Sequence, residues 1–125
     1  MFNSAVLNRA IQTVENGIDS RHVMWELTTD NLDVSILAQN HALYRQWFIG
    51  KHGKSDFYSF AIMIETNILG ELFTITVRRI HFKGLDIEDL KRFGFQQNGA
   101  EFNLDTSSPK EVLNTLDRLI GYLEA

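Results

Sequence analysis

Three stretches of this chain hold residues that could do chemistry. They are the loop G-K-H-G-K-S at 50–55, the basic run R-R-I-H-F-K at 78–83, and the carboxylates Asp86, Glu88 and Asp89. The loop approaches the phosphate-binding pattern G-x-x-x-x-G-K-[ST]. There, glycines let backbone N–H groups curve around a phosphate while Lys and a hydroxyl complete the site. Gly53, Lys54 and Ser55 supply the tail, but the leading glycine belongs at 48, which is Phe48, and Gly50 comes two residues too late. The segment after Ser55 reads as a strand, whereas the motif needs a helix N-terminus facing the phosphate. The stretch reads instead as a basic, solvated turn in which Lys51, His52 and Lys54 could meet an acidic group.

On a continuous strand, Arg79, His81 and Lys83 would share one face, and Arg78, Ile80 and Phe82 the other. Such a face could hold RNA phosphates and stack bases. The aromatic pair of the Lys/Arg-Gly-Phe-Gly-Phe type of sheet binder is missing. The ordinary structural reading is a strand end whose positive charge discourages pairing between sheets. Asp86, Glu88 and Asp89 crowd the start of a short helix, where the helix dipole alone favours carboxylates. They lack the alternating Asp-x-Asp-x-Asp-Gly spacing of a calcium loop. His22, His41, His52 and His81 lack the i, i+4 spacing of a helical zinc site. With no Cys and no G-x-S-x-G elbow, neither a thiolate nor a serine nucleophile is signalled. The expectation is therefore no catalytic residue, no metal and no cofactor.

Composition agrees with a folded binding protein. The chain has 125 residues, 44% hydrophobic and 22% charged, with nine Phe, three Tyr and two Trp. That suits one globular domain spanning 1–125. The absence of Cys excludes a disulfide framework and suits a reducing compartment. The N-terminal residues lack the basic and apolar regions of a signal peptide, and the longest apolar run, 60–64, is far short of a membrane span. These features point to a soluble cytoplasmic protein. The net charge of −4 divides as −3 over 1–44, +2 over 45–92 and −3 over 93–125, unlike the basic footprint of a dedicated nucleic-acid binder.

Periodicity gives the elements that must position these residues. Residues 3–16 predict a helix, with Val6, Ala10 and Val14 on its stripe and Asn16-Gly17 as its stop. Residues 22–28 predict a strand. Residues 33–49 fit a helical face through Val34, Leu37, Ala38 and Phe48, with Asp33 as cap, although two short strands also fit. Residues 57–65 and 71–82 alternate as strands and, with a short connection, predict an antiparallel hairpin. Asp86 should cap a short helix at 87–93. The Asn98-Gly99 turn leads into a strand at 100–104. Ser108-Pro109-Lys110-Glu111 opens a final helix with an apolar stripe through Val112, Leu116 and Leu119. The order α-β-α-β-β-α-β-α implies an α+β domain, with helices packed on a small, mainly antiparallel sheet around a central hairpin.

The leading functional expectation is a non-enzymatic protein-binding protein acting through a surface patch, of the kind of an immunity protein, inhibitor, adaptor or chaperone. Asp30, Asp33, Asp86, Glu88 and Asp89 would face a basic partner, with Tyr44 or Trp47 as anchor. The alternative is a nucleic-acid-binding module using Lys51, Lys54, Arg78, Arg79 and Lys83. A second alternative is a small enzyme or ligand-binding domain. Another protein is the expected partner, no membrane is involved, and a homodimer is compatible with the fold class.

Overall fold

The computed structural model describes residues 4–21, 23–27, 43–50, 61–67 and 72–123. Helix α1 spans Ser4–Asp19, followed by strands β1 (Met24–Leu27), β2 (Leu43–Gly50), β3 (Ile62–Asn67) and β4 (Phe73–Val77). A 3-10 turn at Arg79–His81 leads to the short helix α2 (Ile87–Arg92), the hairpin β5 (Gln96–Asn98) and β6 (Glu101–Thr106), and helix α3 (Pro109–Ile120). The strands form one antiparallel sheet in the order β1-β2-β3-β4-β6-β5. The α+β class and the β3–β4 hairpin at the centre of the sheet agree with the sequence reading.

Period two sorts the side chains of the sheet. Trp47, Ile49, Ile62, Ile64, Phe73, Ile75, Val77, Phe102 and Leu104 point to one face and join Ile11, Val14, Ile18, Leu90, Val112, Leu116 and Leu119 of the helices in one buried cluster. Trp47 stacks on Phe73 with ring centroids 6.5 Å apart. Opposite-face neighbours in register form polar rungs. Gln46 donates to Glu65, Thr74 to Asp105 at 2.7 Å, and Asn103 to Thr76 at 2.8 Å.

The local termination signals act as their chemistry requires. Asp86 accepts from the Asp89 N–H, and the Asp89 carboxylate accepts from the Asp86 N–H, closing a reciprocal capping box on α2. Gly94, at φ 99°, ends α2. The Phe95 N–H returns to the Leu90 carbonyl and the Gly94 N–H to the Lys91 carbonyl, the paired bonds of a Schellman stop. Gly99, at φ 63°, opens the two-residue turn between Asn98 and Glu101. Ser108 accepts from the Glu111 N–H at the start of α3, while its own N–H donates to Thr106 Oγ1.

Several expectations are corrected. Residues 43–49 form a strand and not the end of a helix; residues 28–42 lie outside the described residues. Arg45, on the core side of β2, obscures the alternation, and a register shift between Leu43 and Arg45 disturbs it further. The 71–82 strand ends at Val77. The strand expected over 57–65 is described from Ile62 onward, its first residues lying outside the described set. Helix α1 runs through Asn16-Gly17 to Asp19. Gly17 is a contact point instead of a stop, since a Cβ there would lie 2.4 Å from Leu113 Cδ2 of α3. Strand β5, with the polar sequence Q-Q-N, adds an element that apolar alternation does not signal.

Candidate functional site

The end of β4 decides where the basic run goes. Arg78 is still extended, and Arg79–His81 then wind into a 3-10 turn, so Arg79, His81 and Lys83 do not share a strand face. The strand-face platform expected for nucleic acid is therefore absent from this segment. Phe82 and Leu85 are buried and hold the segment down. Phe82 bridges to Leu123, and the Lys83 N–H donates to the Tyr122 carbonyl at 2.7 Å, tying the segment to the chain beyond α3. With both flanks fixed, Ile80 is held outward and is 77% exposed.

Arg79, Ile80, Phe82, Gly84, Leu85 and Asp86 line an open depression of about 460 Å³. The basic run and the acidic start of α2, rivals as candidate sites in the sequence, thus meet at one surface. Their charges are not all free. Arg78 pairs with Glu101 of β6 at 3.2 Å, and Arg92 pairs with Asp89. Arg79, Lys83, Asp86 and Glu88 are exposed and make no ion pair among the described residues. The backbone N–H of Asp89 holds the Asp86 carboxyl below the usual carboxylate range, so Asp86 presents a negative charge.

The remaining candidates fall elsewhere. Trp47 has no exposed surface, and its indole N–H donates to Glu15 Oε1 at 3.0 Å, which places it in the core and not at a partner surface. Tyr44 lies on β2, with only its backbone described. Asp30, Asp33, Lys51 and Lys54 lie outside the described residues, as do His22, His41 and His52. Asp86, Glu88 and Asp89 do not converge as a ligand set: Asp86 and Asp89 are engaged in capping each other's backbone. Among the described residues no group of three or more His, Asp or Glu could hold a metal ion. No described helix is long and apolar enough to cross a membrane.

Sequence reasoning missed Ile80 as a surface residue, because strand alternation assigned it to a face with Phe82. The sequence signal that could have found it is the density of cations in R-R-I-H-F-K, which suits a solvated turn better than a central strand. No family model matches the chain, and no curated protein or solved structure matches it either.

Proposed function

We propose that this protein works by binding another protein chain through the patch formed by residues 78–89, without catalysing a reaction. The observation that carries the reading is Ile80, a large apolar side chain 77% exposed on a turn that buried Phe82 and Leu85 hold in place. An isolated exposed apolar residue needs no explanation, but this one borders a depression with a cation and a carboxylate on its walls. An apolar centre with a charged rim is the anatomy of a protein interface. The neighbouring Asp86 and Glu88 carboxylates disfavour a phosphate backbone, and the Arg78–Glu101 pair removes one of the cations a nucleic acid would use. An inhibitor, immunity or adaptor role is the specific form of this reading that the exposed carboxylates of α2 suit.

The chain has no Cys, so an Ile80→Cys variant can carry a photo-crosslinker at that position alone. In source-cell lysate, the expected product is a nuclease-resistant adduct with a protein, either a different chain or a further copy of this one. Adducts only with nucleic acid, or no adduct, would overturn the reading.

A further inference from the structure

The charges of the patch have a balance that bears on its partner. Of the charged side chains from Arg78 to Asp89, Arg78 is neutralised by Glu101, and Asp89 is engaged by Arg92. Among the described residues this leaves two cations outside any ion pair, Arg79 and Lys83, against two such carboxylates, Asp86 and Glu88, all exposed. A partner of one sign would meet repulsion over half of this rim. A surface carrying the same balanced set would meet attraction, provided each cation faces a carboxylate.

We infer that the patch pairs with a second copy of itself, forming a two-fold dimer centred on Ile80. The inference rests on the protein-binding reading of this patch and names its partner. In a two-fold interface the same surface is used twice, so a contact from residue i to residue j is repeated from j to i. A patch that holds an exposed apolar centre together with both members of an ion pair meets that condition by itself. Arg79 and Asp86 line the same depression as Ile80, so both charges lie within reach of the residue that would sit beside the axis. In the dimer, Ile80 closes over the apolar floor made by Phe82 and Leu85 of the opposite copy, Arg79 of each copy faces Asp86 of the other, and the burial of Ile80 supplies the hydrophobic term. The remaining pair, Lys83 and Glu88, strengthens the electrostatic match at the rim.

The test is the mass of the full chain in solution over a concentration series, measured by analytical ultracentrifugation. Wild-type protein is expected to show a monomer–dimer equilibrium. Ile80→Asp should weaken it at least about tenfold, as loss of a central anchor does. Arg79→Glu alone sets carboxylate against carboxylate across the axis, and Asp86→Arg alone sets cation against cation, so each should be monomeric where wild type dimerises. An equimolar mixture of these two variants faces Glu at 79 with Arg at 86, and Asp86 with Arg79, and should recover a heterodimer. Asp86→Arg also removes the cap of α2 and should melt somewhat lower, so a cooperative melting transition above the temperature of the measurement establishes that each variant is folded. A wild type that stays monomeric at every concentration, a dimer indifferent to all three substitutions, or a mixture that stays monomeric would each overturn the inference. If the crosslinker at position 80 then still captures a different protein, self-pairing fails while the binding reading stands. If it captures none, both fail.

Discussion

Glu15 joins α1 to the sheet through a single oxygen. Its Oε1 accepts from Trp47 Nε1 at 3.0 Å and from Arg45 Nη1 at 3.1 Å. Trp47 is wholly buried, so removing the acceptor strands an indole N–H away from water. Glu15→Ala should cost about 1–3 kcal/mol in chemical denaturation. Glu15→Gln keeps an oxygen in place and should cost less; equal losses for the two would show that the hydrogen bonds are not what matters. Glu65 carries the opposite kind of burden. Burial holds its carboxyl above the usual range, against the lowering effect of the Gln46 hydrogen bond, and Glu101 and Asp105 raise it further. A carboxyl raised in the folded state binds its proton more tightly there. Its stabilising contribution is full below the unfolded value and is lost as pH rises through the folded one. Asp117, held low by its hydrogen bond from Arg21, works the other way: its contribution is present above the ordinary carboxylate range and is lost as pH falls through the folded value. Glu65→Gln should therefore melt higher than wild type at neutral pH, with the gain vanishing in acid. A gain that persists unchanged in acid would contradict the assignment.

At the scale of the elements, the α1–α3 contact is set by a missing side chain. Leu113 lies where a Cβ on Gly17 would be, and just beyond it Arg21 grips Asp117 through two hydrogen bonds, at 2.6 and 3.0 Å, while donating to the Gly17 carbonyl at 2.6 Å. Gly17→Val should destabilise by about 1–3 kcal/mol through overpacking. Adding Leu113→Ala should recover part of that loss, giving a favourable coupling in a double-mutant cycle. Additive losses would mean that the helices do not meet there. The helix-stop reading of Asn16-Gly17 had the right residue and the wrong cause, because a glycine that ends a helix and one that admits a neighbour look alike in sequence. The same limit applies to Arg45. A cation on the core side of a strand breaks the alternation, and only the carboxylate of Glu15 across from it makes that position tolerable. By contrast, the Ser108 and Asp86 caps were legible because a cap bonds to a backbone N–H three residues away in the chain.

For the whole molecule, the strand order ranks the stability of its parts. Strands β3 and β4 lie at the centre, each paired on both sides, whereas β5 is an edge of three exposed residues. Native-state hydrogen exchange should find the amides of Ile64 and Ile75 opening only with global unfolding, and those of β5 exchanging through local opening. Equal protection in β5 and β4 would contradict this layout. The short edge has its own logic, since three residues offer little template for unwanted strand pairing.

Short-range chemistry was enough to specify the α+β class, the central hairpin, the capped final helix with its apolar stripe, the capping of α2 and the turn at Asn98-Gly99. Each rests on periodicity or on bonds that span only a few residues, so neighbours in the chain suffice. Long-range packing was needed to make residues 43–50 a strand, to join Q-Q-N to the sheet and to put Trp47 in the core. It also brings Arg79 and Asp86 together around an exposed Ile80. Those outcomes depend on which surfaces meet: β2 is a strand because β1 and β3 satisfy its backbone, and the patch exists because buried Phe82 and Leu85 pull the chain down beyond the turn.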